Sequence, residues 1–116
     1  MVGTSAQPEY QGASVASTTI TASADVIAAP DEGYFIRLYG YSVSVNVAAV
    51  QTVTLNDGLG GDAIAVIGAA ALGNSGFIPC PYDLTEETEL YGTLSGGTVT
   101  MIVRPVYKVL PVKGYA

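Results

Sequence analysis

The sequence predicts an all-β domain: a β-sandwich or jelly roll of about six to eight short antiparallel strands, preceded by a flexible N-terminal arm. Three observations carry this expectation. The apolar stretches are rich in Val, Ile, Thr and Tyr, which suit a pleated, half-buried surface. They alternate with a period near two, and no stretch of helical period rivals them in length. Turn chemistry separates them, as at Pro30-Asp31-Glu32-Gly33, Asn56-Asp57-Gly58 and Gly73-Asn74-Ser75-Gly76. With 116 residues the chain is one domain, long enough for a two-layer core. A compact chain of that length has a radius of gyration of roughly 13 Å.

Residues 1–17 are poor in large apolar groups and read as the arm, with Tyr10 and Val15 its only sizeable anchors. Residues 18–108 form the sandwich. Thr18–Ala28 is its first strand. Residues 33–56 are the organising stretch: Tyr34, Ile36 and Leu38 place apolar groups at even positions, Tyr39, Tyr41, Val43, Val45 and Val47 at odd ones. A period of two changes phase only through an extra residue or a bend, so a long strand kinks near Gly40. A further strand follows over residues 50–55. Ala63–Leu72 fits a strand or a short helix by periodicity, and Ile64, Val66 and Ile67 favour the strand. Phe77-Ile78 opens a short strand that Pro79 and Pro81 stop. Asp83 with Glu86 fits a capping box, predicting one helical turn over 84–87. The last strands are Thr88–Leu94 and Gly97–Lys108, and Pro105 places the end of the second on an edge or out of the sheet. Residues 109–116 form an apolar tail.

Composition narrows the function. Hydrophobic residues make up 49% and charged residues 12%, with mean hydropathy +0.41. That is apolar for a domain in water, whose charged fraction is usually about 25%. No apolar run approaches the ~20 residues of a membrane helix, so the excess points to surface covered by another subunit. Net charge is −6, and the four cations Arg37, Arg104, Lys108 and Lys113 form no phosphate-tracking cluster. Nucleic-acid binding is not expected. No secretory signal is visible at Met1, and the chain reads as made in a cytoplasm.

The search for chemistry comes up empty. With no histidine, catalytic triads and His-based zinc sites are absent. The lone Cys80 sits between prolines and reads as a small apolar residue rather than a nucleophile. Glu86, Glu87 and Glu89 read as a solvated turn, and Asn56-Asp57-Gly58 with Asp62 as a hairpin loop. That loop's oxygens leave cation binding open, although the EF-hand spacing is missing. No cofactor is expected. Tyrosine is the unusual feature, with eight Tyr against two Phe and no Trp. Tyr suits interfaces and glycan platforms, which singles out Tyr10, Tyr82 and Tyr115 in the arm, a loop and the tail; with the apolar groups of arm and tail, Val15, Leu110 and Val112, they are the expected contact residues.

Three stretches in order, GYFIRLYGYSVSVNVAAVQTVTLNDG (33–58), GFIPCPYDL (76–84) and ELYGTLSGGTVTMIVRPVY (89–107), give the chain a family likeness. It resembles the small jelly-roll head decoration (cement) proteins of tailed bacteriophages. The resemblance implies a non-enzymatic virion protein on the outer capsid surface, made in the host cytoplasm. It also implies a homotrimer bridging subunits of the major capsid protein. The alternative is a glycan- or receptor-binding knob of a phage fibre, with Tyr82 beside Asp83 as the best sugar platform.

Overall fold

The computed structural model describes residues 13–48, 50–69, 71–96 and 99–112. Ten strands follow in chain order: β1 (Ser14–Val15), β2 (Thr18–Ile20), β3 (Ala24–Ile27), β4 (Tyr34–Val47), β5 (Thr52–Asp57), β6 (Ala63–Gly68), β7 (Gly73–Asn74), β8 (Ile78–Asp83), β9 (Leu90–Leu94) and β10 (Thr100–Pro111). No helix occurs among the described residues, and every pairing is antiparallel. In the larger sheet, β1 and β2 lie end to end along one edge of β10, β4 lies on its other side, and β7 and β8 share the far edge of β4. The smaller sheet has the order β3-β9-β5-β6.

Counted as interrupted strands, β1–β2 and β7–β8 reduce the ten to eight, within the expected range. The chain is then a nest of pairs: β2 with β10, β3 with β9, β4 with β8, and β5 with β6 innermost. A long hairpin of this kind folded over on itself gives two antiparallel sheets, the architecture of a β-sandwich.

Strands β4 and β10 form the spine. At about 3.3 Å per residue the 14-residue β4 spans roughly 46 Å, which accounts for a molecular extent of 49 Å. The radius of gyration is 15.0 Å, larger than a compact shape requires, because this pair runs the length of the molecule. Along β10 the odd residues Met101, Val103 and Pro105 point inward and are fully buried. Along β4 the inward set changes: Ile36 and Leu38, then Tyr41, Val43 and Val45. The change happens where Val106 pairs with Gly40 and Tyr107 with Leu38, so Tyr39 is the extra residue of a bulge. A second bulge at Asn46 precedes the strand end, where Thr100 faces Val47 and Met101 faces Val45. From the smaller sheet Val26, Val53, Leu55, Ile67 and Leu90 complete the core. Each such side chain contributes about 1.5–3 kcal/mol when fully buried.

Several expectations need correction. The first strand is two: at the bend over residues 21–23 the chain leaves the larger sheet as β2 and joins the smaller as β3. Thr18 Oγ1 donates to Val26 O (2.9 Å) across that corner. The prolines do not stop β8, which runs through Pro79 and Pro81. As an edge strand it needs ladder donors on one side only, and its register against β4 is irregular there. Pro105 is likewise mid-strand and fully buried. Its carbonyl accepts from Ala16 N (3.2 Å), so its nitrogen also faces the gap between β1 and β2, where no ladder donor is lost.

The predicted helical turn is absent: residues 86–87 form a turn, with Glu87 at φ 61°. Asp83 does not cap it, because its carboxylate takes a bidentate pair from Arg37 (Nε–Oδ1 2.8 Å, Nη2–Oδ2 3.1 Å). The arm is also shorter than drawn, since Ser14 and Val15 pair with Tyr107 and Val106, and β10 continues through Pro111 into the expected tail. Residues 1–12 of the arm and 113–116 of the tail lie outside the described residues.

Candidate functional site

The hairpin joining β5 to β6 is tied down from several sides. Asp57 N donates to Asp62 O (2.9 Å), and Asn56 Nδ2 to Gly61 O (3.2 Å). Gly58 holds φ +84° and donates its amide to Glu89 O (2.9 Å). A Cβ there would stand 2.7 Å from Thr88 Cγ2. Glu89 Oε2 accepts from Leu59 N (2.9 Å). Asp57 supplies the strongest tie, because its carboxylate accepts from Thr85 N (3.0 Å), Thr85 Oγ1 (2.8 Å) and, more weakly, Tyr82 OH (3.4 Å).

Asp57 is therefore the group that holds the 84–87 turn, in the role expected of Asp83. Its oxygens are committed to protein donors, and no group of three His, Cys, Asp or Glu side chains poised for a metal occurs among the described residues. At the neighbouring strand ends, Gly33 N donates to Glu87 Oε2 (3.2 Å) and Glu87 N to Tyr34 O (2.9 Å). This places Asp31 and Glu32 beside Glu86 and Glu87. The chain thus gathers Asp31, Glu32, Asp57, Asp62, Glu86, Glu87 and Glu89 at and around one pole.

The expected contact residues separate. Tyr82 packs on the core, and partial burial, followed by the charges of Asp57 and Asp62, pushes its phenol up, so it stays a protonated donor. Asp83 is its neighbour in a pleated strand and points to the opposite face, toward Arg37. The two do not form one sugar platform. Val112 is exposed and its amide donates to Gly33 O (2.9 Å) near the acidic pole. Tyr10 and Tyr115 lie outside the described residues. Val15 and Leu110 fall on one surface, the outer face of the larger sheet.

The register orders that face into rows. Leu110 lies beside Phe35. Next come Lys108, Arg37 and Asp83, with Arg37 5.5 Å from the Phe35 ring centre and Lys108 6.0 Å from that of Tyr39. The third row is Val15, Val106 and Gly40. Phe77 lies over that glycine, its ring occupying the place a Gly40 Cβ would take. Arg104 follows beside Ser42, donating to Ser44 Oγ (2.8 Å), and Ile102 lies between Thr19 and Ser44.

A solvated antiparallel face is normally polar, yet the outward residues of β10 include Ile102, Val106 and Leu110. Sequence reading missed Phe35, Phe77, Arg104 and Val106 as members of a surface. The available signal was β10 itself, which is apolar on both alternations.

Cys80 lies half-buried against the core, and burial pushes its thiol above the ordinary range. Tyr41 is also raised, by burial first and by Cys80 second. A raised thiol holds less thiolate at neutral pH and is a poor nucleophile. Cys80→Ala should cost under about 1.5 kcal/mol in urea denaturation, and alkylation of Cys80 at neutral pH should be slower than that of a free thiol in a short peptide. Fast alkylation of the folded protein would contradict the assignment.

No family model, curated protein or solved structure matches this chain.

Proposed function

We propose that this chain is a non-enzymatic head decoration protein of a tailed bacteriophage. In this reading it binds the outside of a preformed capsid as a homotrimer and bridges subunits of the major capsid protein. The observation that supports the reading best is the nested strand pairing, because jelly-roll winding recurs in capsid and lectin domains. The sequence resemblance points the same way, and the strongest polar cluster, around Asp57, serves to hold loops together.

The mechanism is multivalency. A single millimolar contact contributes only about −4 kcal/mol. Several contacts on one oligomer matched to the symmetry of a shell raise avidity by about 10²–10⁴. A lectin-like role is the outcome to separate from this one.

The test mixes purified protein with undecorated shells, sediments them and quantifies what co-pellets. Saturable binding by the wild type is expected, weakened by deletion of residues 1–12. That deletion ends before Ser14, so the pairing of β1 with β10 is kept. Absence of binding to shells, with retention on a glycan array, would replace the proposal with the fibre-knob alternative.

A further inference from the structure

Among the described residues each sheet ends on open edges, and all but one of these are blunted. In the larger sheet one edge is broken between β1 and β2, of two and three residues. The other is broken between β7 and β8, and β8 carries Pro79 and Pro81. In the smaller sheet β3 has four residues, carries Asp25 and is bulged against β9 between Asp25 and Ile27. Strand β6 lacks these devices. Its six residues, AIAVIG, include no charge and no proline, and among the described residues β5 alone pairs with it. Its one irregularity, the extra Ile64, lies beside the hairpin and leaves residues 65–68 regular. The backbone phase fixes what that edge presents. Ala69 N donates to Gln51 O (3.1 Å), and the residues in step with it, Ile67 and Ala65, also turn their main chain toward β5. Val66 and Gly68 therefore turn N–H and C=O outward. Both are exposed, Val66 at 64%, and a Cβ at Gly68 would meet nothing within 4 Å.

We propose that β6 is a strand-accepting edge, which takes an extended segment of a different protein as one more strand of the smaller sheet. A row of outward amides and carbonyls is complemented by another extended backbone, and this fixes the chemical class of the occupant. An antiparallel segment, the orientation of β6 on β5, exchanges two hydrogen bonds with Val66 and two with Gly68. Its side chain opposite Ile67 points to the edge of the core, and the one opposite Val66 lies beside that exposed valine. Both positions suit β-branched residues. The exposed Asp62 stands just before β6, and a Lys or Arg at the segment's C-terminal end complements it. This inference is independent of the decoration reading, because it concerns the chemistry the edge accepts and not the assembly that supplies it.

The probe is the acetylated and amidated peptide Ser-Thr-Val-Val-Thr-Thr-Ser-Lys, whose antiparallel docking sets its second residue opposite Gly68 and its fourth opposite Val66. Binding to the full chain is followed through amide chemical shifts and hydrogen exchange. Saturable shifts at Val66 and Gly68 are expected, with slower exchange of both amides. N-methylation of the second and fourth peptide residues removes the donors that face β6 and weakens binding about tenfold or more. N-methylation of the third and fifth leaves binding within about twofold, since those donors face away. Val66→Pro deletes an outward donor and no bond to β5, and weakens binding of the plain peptide about tenfold. Far-UV circular dichroism checks that this variant is folded, and if it is not, the pair of methylated peptides still decides. Absence of shifts at the two amides overturns the proposal. So does binding indifferent to which alternation is methylated, or a folded Val66→Pro that binds as the wild type does. Slow exchange of both amides in the protein alone also overturns it, since a second copy or another segment of the chain then covers the edge.

Discussion

Gly40→Val should cost about 2–3 kcal/mol and lower the melting temperature by about 10 °C or more. A side chain at position 40 meets the Phe77 ring and the carbonyl oxygen of Ile78. The ring is half-exposed and can swing away. The carbonyl belongs to the backbone of β8 and moves only if that strand shifts. Phe77→Ala in the Gly40→Val background should therefore recover part of the loss, and a double-mutant cycle measures how much. An unchanged melting temperature for Gly40→Val would show that β8 yields freely, and that the bulge at Tyr39 does not depend on a bare backbone beside it.

Asp57→Ala should have the next largest effect, about 2 kcal/mol by urea denaturation. The carboxylate takes two bonds from Thr85 and one from Tyr82, and so joins the β5–β6 hairpin to the turn before β9. The site is open enough for water to replace part of what is lost, which keeps the figure below that of a fully buried charged network. Amide exchange supplies the specific readout. Thr85 N should lose protection in Asp57→Ala, while the β4–β10 ladder keeps its own. Protection of Thr85 that survives the substitution would mean that the turn is held by its backbone alone.

The legible parts of this fold were those governed by local rules. A strand cannot invert its alternation without an extra residue, so the switch from Ile36 and Leu38 to Tyr41 and Val43 announced the bulge. Asn56-Asp57-Gly58 announced its turn in the same way. The rest depended on neighbours that local pattern does not reveal. Pro79 and Pro81 are breakers in a central strand and harmless on an edge, and only the topology makes β8 an edge. Asp83 had the spacing of a cap, but Arg37 competes for it from across the sheet, and Asp57 caps the turn from another hairpin. The candidate surface was less legible still. Arg37, Arg104 and Lys108 are scattered in sequence, and the antiparallel register of β4 against β10 places them on one face.

The nested pairing also sets the order in which the molecule can be completed during synthesis. Strand β10 sits in the interior of its sheet, between β1–β2 and β4, although it is the last of the ten to be made. The smaller sheet has all four of its strands once β9 has emerged, whereas β4 must wait with one long edge unpaired. A nascent or truncated product lacking Thr100–Pro111 offers that 14-residue edge to any passing strand, the usual start of aggregation. A chain cut short before Thr100 therefore leaves that edge of β4 bare, and one that extends through Pro111 pairs it along its length.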